Sequence, residues 1–168
     1  LAGYELWRSD GTRAGTAMVA DLFPGLQDSL GEAGHPEIVA TPSRFYFAAT
    51  TPGSGMELWS SLGTAATTQL LREIHPSGSS SPGNFIVLGD RLLFFADDGT
   101  HGGELWVTDG TATGTTLVMD LNPGPAGSGG YVGASLNLVD RTTTVLGSLA
   151  FFSATSGGES KLWRTDGT

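Results

Sequence analysis

Acidic residues are the side chains whose type and spacing come closest to a chemical site in this sequence. The densest group is Asp97-Asp98-Gly99-Thr100, with Glu104 shortly after it. Because Ca²⁺ prefers several carboxylate and carbonyl oxygens, this segment is a candidate calcium loop. The corresponding positions in the internal repeats described below lack carboxylates: Thr50-Thr51 and Thr155-Ser156. We therefore favour a turn in which aspartate bonds its own backbone, and expect no cofactor, with calcium as the open alternative.

A second acidic set recurs once per repeat, at Asp21, Glu73 and Asp120. Carboxylates at one position of a cyclic array would form an acidic ring. Charged side chains are, however, mostly exposed to solvent. We therefore favour three solvated residues beside a loop.

Catalytic patterns are missing from the sequence. His35, His75 and His101 lie at different phases of the repeat, and we find no histidine or carboxylate partner at metal-ligand spacing. No G-x-S-x-G motif is present to place a serine nucleophile on a sharp turn, and there is no cysteine. We therefore expect no catalytic, cofactor-binding or metal-binding residue, and predict that the chain is not an enzyme.

The pattern Glu-Leu-Trp-x-x-Asp-Gly-Thr occurs four times and organises the chain. Its tryptophans are the only ones in the sequence and lie 52, 47 and 57 residues apart. A period near 50 residues indicates a repeat architecture. Two copies depart from the pattern, with Leu62 in place of aspartate and Lys161 in place of glutamate. The copies cover residues 5–12, 57–64, 104–111 and 161–168.

Each period contains four short runs rich in β-branched and aromatic residues, separated by Gly, Pro, Asp and Ser, which indicates strands joined by turns. No segment keeps a helical apolar period long enough to predict a helix. We therefore predict an all-β propeller, or part of one, built from four-stranded antiparallel blades. The strands divide into groups of two, four, four and three. The predicted array has a partial blade at 1–23, blades at 24–75 and 76–121, and a partial blade at 122–168.

The recurring aromatic residues and glycines have predicted structural roles. Because alternate side chains of a strand face opposite ways, leucine of the pattern can fill one layer between blades and tryptophan the next. Stacking on carbohydrate is the rival role for tryptophan, but one tryptophan per blade favours packing. Glycine of Asp-Gly-Thr is expected to take the positive φ of a tight turn. The structural repeat positions are Trp7, Trp59, Trp106 and Trp163, Gly11, Gly63, Gly110 and Gly167, and Phe47, Phe95 and Phe152.

Composition limits the partners. The net charge is −9, and the eight basic residues form no cluster, so nucleic acid and anionic membranes are not expected partners. No apolar run approaches the roughly 18 residues of a membrane span. The absence of cysteine fits an exported bacterial protein. Both ends lie next to a copy of the pattern, so we expect a piece of a longer array, whose partners are further repeats of the same chain or other subunits.

The pattern, together with the Gly-Thr and Asp-Leu-x-Pro-Gly segments that follow it, resembles the bacterial ELWxxDGT repeat family. The resemblance covers essentially the whole chain. It implies a large exported or surface protein whose repeats are similar to propeller blades. It supplies no catalytic residue.

The sequence thus predicts a non-enzymatic extracellular or cell-surface scaffold for protein interaction, adhesion or assembly. A glycan-binding, lectin-like propeller and a propeller glycosidase or lyase stay open as alternatives. The connection from the proline after each fourth strand to the next aromatic run varies most, from 17 residues after Pro76 to 27 after Pro123. Loops that vary on one face are often the binding face. The glycan alternative would use Tyr131 and Asn137 in the longest of these loops.

Overall fold

Four antiparallel sheets form the regular structure in the part of the chain that the structure describes. The computed structural model describes residues 3–30, 37–129 and 143–168. Within every sheet, neighbouring strands follow chain order. Sheet 1 contains β1 (Leu6–Arg8) and β2 (Ala17–Ala20); sheet 2 contains β3 (Ile38–Ala40), β4 (Phe45–Thr51), β5 (Ser54–Ser61) and β6 (Gln69–Leu70); sheet 3 contains β7 (Gly83–Leu88), β8 (Arg91–Asp97), β9 (Gly103–Thr108) and β10 (Thr116–Met119); sheet 4 contains β11 (Thr143–Leu146), β12 (Leu149–Ser156) and β13 (Glu159–Thr165).

The all-β prediction is confirmed, and so is the division of the strands into groups of two, four, four and three. Each sheet lies inside one of the four segments predicted from the sequence. The described ranges contain no α-helix, and their single helical segment is a 3₁₀ turn at Ala65–Thr67. Accordingly, no helix in these ranges is long and apolar enough to cross a membrane.

A pair of glycines forms the turn of the last hairpin. Gly157 and Gly158 connect β12 to β13 with φ angles of 63° and 80°. Two successive positive φ angles are typical of a type I′ turn, whose twist matches that of the flanking strands. The two strands accordingly keep an unbroken register, from Ala150 opposite Thr165 to Ser156 opposite Glu159.

In sheets 2, 3 and 4, the tryptophan of the repeated pattern lies opposite a phenylalanine of the preceding strand. The pairs are Phe47 with Trp59, Phe94 with Trp106, and Phe152 with Trp163. Phe94 is therefore the structural counterpart of Phe47 and Phe152. Phe95, which we aligned with them from the sequence, lies opposite Leu105 and faces the other way. The sequence alignment of this strand is thus displaced by one residue.

Buried clusters fill the three spaces between consecutive sheets. The leucine of the pattern packs towards the following sheet in sheets 1, 2 and 3: Leu6, Leu58 and Leu105. The tryptophan packs towards the preceding sheet in sheets 2, 3 and 4: Trp59, Trp106 and Trp163. This alternation is the one expected from the two-residue period of a strand. The prediction that leucine and tryptophan serve successive layers is confirmed.

Candidate functional site

A buried glutamate begins the repeated pattern in sheets 1, 2 and 3. Glu5 directly precedes β1, Glu57 lies in β5 and Glu104 lies in β9, and all three side chains are buried. In each repeat, the backbone N–H seventeen residues later donates to Oε2 of this glutamate. The donors are Leu22 at 3.0 Å, Ile74 at 3.1 Å and Leu121 at 3.0 Å.

Each carboxylate also binds more of the same connecting segment. Oε1 of Glu57 accepts from the backbone N–H groups of His75 and Ser80, both at 3.2 Å, and the Ser80 hydroxyl donates to Oε2 at 2.6 Å. Asn122 N–H donates to Glu104 at 3.3 Å. The Ser29 hydroxyl donates to Glu5. The glutamate therefore holds the segment that follows the last strand of its own sheet.

The surroundings of Glu57 present hydrogen-bond donors to both of its carboxyl oxygens. Burial raises the pKa of Glu57, and the bonds from the Ser80 hydroxyl and from the Ile74 and His75 backbone act against that rise. The groups bonded to its two oxygens are three backbone N–H groups and one hydroxyl. A carboxylate can accept all four, whereas an amide would present N–H groups to some of them. This role of the glutamate was not predicted from the sequence.

The Asp-Gly-Thr segments form turns, as predicted. Gly11, Gly63, Gly110 and Gly167 have φ angles of 88°, 93°, 88° and 82°. In sheet 3, the Thr111 backbone and hydroxyl donate to Asp109 Oδ1 at 2.9 and 2.7 Å, and Asp10 and Asp166 accept equivalent bonds in their repeats. The Thr111 bonds lower the pKa of Asp109.

The copy that carries leucine instead of aspartate keeps its turn with different bonds. The Thr67 hydroxyl accepts from the backbone N–H groups of Leu62 and Thr64, at 3.2 and 3.3 Å. Gly63 N–H donates to the Ser61 hydroxyl at 2.9 Å, as its counterpart Gly110 does to Thr108. The turn therefore depends on glycine and on a nearby hydroxyl more than on the aspartate.

Arginines connect these turns to the preceding sheet. Arg44, beside β4 in sheet 2, donates to the Gly110 carbonyl in sheet 3 at 2.7 Å, and Arg91 in sheet 3 donates to the Gly167 carbonyl in sheet 4 at 2.9 Å. Arg8 in sheet 1 reaches the Gly63 carbonyl in sheet 2 at 3.5 Å. A polar contact therefore accompanies each of the three apolar layers. The roles of these arginines were not predicted from the sequence.

The candidate calcium segment is occupied by bonds of its own. Asp97 accepts from Gly99 N–H at 2.7 Å, and Asp98 accepts from the Thr100 and His101 N–H groups, both at 2.9 Å. Glu104 is directed to Leu121 and Asn122 instead. Over the described part of the chain, no group of three or more His, Asp or Glu residues is arranged to hold a metal ion.

One histidine does have a carboxylate partner, contrary to the sequence analysis. His101 Nδ1 lies 2.8 Å from Asp98 Oδ2, three residues earlier in the same turn. The hydrogen bond and the charge of Asp98 raise the pKa of His101. The pair lies at the surface and closes the β8–β9 turn.

Of the other predicted candidates, His75 lies against the turn that holds this pair. The His75 ring lies against Gly78 and against Gly99 of the next sheet. A Cβ atom added to either glycine would contact the ring. Asp21 and Glu73 are exposed, Glu73 accepts from the Ser54 hydroxyl at 3.1 Å, and Asp120 is half-buried. Three candidates lie outside the described residues: His35, Tyr131 and Asn137.

Comparison with known proteins gives no relative. No protein-family model matches the chain, and neither does any curated protein or solved structure.

Proposed function

We propose that this chain is a non-enzymatic scaffold of the β-propeller type, placed outside the cell or on its surface, for protein interaction, adhesion or assembly. The observation that carries the proposal is how the repeated polar residues are used. The glutamates, the Asp-Gly-Thr turns and the arginines bind main-chain groups of their own sheet or of the next one. Their recurrence is therefore explained by construction of the array, without a reacting substrate.

The propeller form is supported by the stacking of consecutive sheets. Antiparallel sheets of up to four strands, packed face to face through layers in which the leucine of one sheet meets the tryptophan of the next, are the arrangement expected of neighbouring blades. The resemblance of the repeated pattern to the ELWxxDGT family supports an exported or surface location in a bacterium. A net charge of −9 and the absence of cysteine are compatible with that location.

Protease treatment of intact producing cells tests the location. We expect added protease to remove the protein from whole cells, detected by immunoblot, while a cytoplasmic marker survives. Protection of the protein until the cells are lysed would contradict a surface or extracellular location.

Substrate and glycan panels test the remaining part of the proposal. Purified protein is incubated with oligosaccharides and polysaccharides, with heat-unfolded protein as the control, and product formation is followed by chromatography. We expect no turnover above the control and no hits on a glycan array. Saturable glycan binding would favour the lectin-like alternative, and turnover would favour the glycosidase or lyase.

A further inference from the structure

The layer between sheets 2 and 3 contains polar side chains where the next layer has apolar ones. Tyr46 and Ser60 lie opposite each other in β4 and β5, and both are fully buried. Their counterparts in sheet 3 are Leu93 and Val107, which lie opposite each other in the same way and pack in the layer between sheets 3 and 4. The stacking of two sheets therefore does not itself require hydroxyl groups at these positions.

Arg44 and Tyr46 bring two further hydrogen-bonding atoms into this layer. Arg44 Nη1 donates to the Gly110 carbonyl of sheet 3 at 2.7 Å and lies 3.5 Å from the Ser60 hydroxyl, and Tyr46 packs in the cluster between the two sheets. The Nε atom of Arg44 and the Tyr46 hydroxyl are both buried, and neither has a hydrogen-bond partner among the residues that the structure describes. Buried polar groups are nearly always paired, so these two atoms indicate a further partner.

The Tyr46 hydroxyl keeps its proton and is available as a donor. Burial raises the pKa of Tyr46, and the Arg44 charge acts against that rise more strongly than either Asp109 or Asp90 adds to it. The Thr41 hydroxyl also lies close enough to influence the pKa of Tyr46, but the two groups do not meet the geometry of a hydrogen bond. Thr41 donates instead to the Arg44 carbonyl at 3.1 Å. The Tyr46 O–H therefore points to a partner other than Thr41.

We propose that the layer between sheets 2 and 3 binds a small hydrogen-bond acceptor, of the size of a water molecule or a chloride ion, between Arg44 Nε and the Tyr46 hydroxyl. An arginine N–H can only donate, so the bound species must accept. The Ser60 hydroxyl, on the same face, supplies a third group, and a buried water typically makes about three hydrogen bonds. Water and chloride share this acceptor chemistry, and the experiment below separates them. The inference concerns a single layer and does not depend on the proposed scaffold function.

Crystals of the purified protein grown in sodium bromide test the site directly, because bromide takes the place of chloride and scatters X-rays anomalously. We expect electron density within hydrogen-bond distance of both Arg44 Nε and the Tyr46 hydroxyl. An anomalous peak at this position would identify an anion, and a peak without anomalous signal would identify water. A well-ordered layer with no density between the two groups would overturn the proposal.

Tyr46→Phe removes only the hydroxyl and tests the site in solution. A filled site loses one of its hydrogen bonds, so the urea midpoint should fall by about 0.5 M. An unfilled site predicts the reverse, because phenylalanine relieves a buried hydroxyl that has no partner. Tyr4→Phe is the matched control, since Tyr4 is 72% exposed, and its midpoint should equal that of the wild type. A Tyr46→Phe midpoint equal to or above the wild-type value would overturn the proposal. Neither result would affect the protease and substrate tests above.

Discussion

Replacing the buried carboxylate of sheet 2 by an amide, in Glu57→Gln, should destabilise the fold strongly for so small a change. The four groups bonded to Glu57 comprise two on each oxygen. Glutamine keeps one acceptor oxygen and has an NH₂ group in place of the other. This NH₂ group faces groups that donated to the lost oxygen, namely the Ile74 N–H and the Ser80 hydroxyl. The Ser80 hydroxyl can rotate and accept, but the Ile74 N–H is then left without an acceptor. A buried donor without a partner costs about 1–3 kcal/mol.

Loss of the Glu57 charge has two opposing effects on stability. Charge-assisted bonds are stronger than neutral ones, so the remaining bonds weaken. Removing a buried charge also relieves the desolvation that raises the pKa of Glu57. We therefore expect Glu57→Gln to lower the free energy of unfolding by about 2 kcal/mol, close to the cost of the one unpaired N–H.

Urea unfolding followed by tryptophan fluorescence measures this loss. The matched control is Glu159→Gln, since Glu159 is exposed and its pairing with Lys161 at 3.4 Å is a surface contact of little energetic value. A loss below about 0.5 kcal/mol for Glu57→Gln, or an equal loss in the control, would refute the capping role of Glu57.

The destabilisation should also depend on pH with a defined sign. Because burial raises the pKa of Glu57 above 4.5, the folded state binds this proton more tightly than the unfolded chain. The resulting stability is fully present below the unfolded pKa and is lost as pH rises through the folded pKa. Glutamine lacks this titration, so the gap between wild type and Glu57→Gln should narrow as pH rises through that window. A gap that widens over the same window would contradict this sign.

Three further predictions concern the layers and turns. Trp106→Ala should lower the free energy of unfolding by about 3–5 kcal/mol in urea unfolding, whereas Trp7→Ala should change it little because Trp7 is 59% exposed. Arg44→Ala removes the 2.7 Å bond to the Gly110 carbonyl and should cost about 1–2 kcal/mol in the same assay; a cost near zero would exclude a clamping role. NMR titration should give His101 a pKa above its ordinary value, and Asp98→Asn should return the pKa towards that value. A His101 pKa that is the same in Asp98→Asn as in the wild type would show that Asp98 does not raise it.

Strand number, turns and layer order were predictable because each depends on local pattern. A two-residue period decides which side of a strand a leucine or tryptophan occupies, and glycine marks the turns. The alignment of Phe95 failed because adjacent phenylalanines look alike in sequence, and only pairing register distinguishes Phe94 from Phe95. Adjacent aromatic residues face opposite layers, so an error of one residue exchanges the layers.

The buried glutamates were missed because glutamate is usually exposed and its partners lie far along the chain. One signal was present in the sequence. A serine follows each glutamate by 23 or 24 residues, at Ser29, Ser80 and Ser128, and all three serines are buried. The hydrogen bonds from arginines to the glycine carbonyls gave no comparable signal. Arg44 and Gly110, for example, are 66 residues apart and belong to different repeats.

Hydrogen exchange at three backbone amides tests the central claim most directly, namely that the repeated residues serve to hold the sheets together. Leu22, Ile74 and Leu121 lie outside the strands, so without the glutamates their amides would exchange as fast as those of open loops. We predict protection of at least about 100-fold at all three, equivalent to about 2.7 kcal/mol. Glu57→Gln should abolish protection at Ile74 and leave it at Leu22 and Leu121. Rapid exchange of these amides in the wild-type protein would contradict the account.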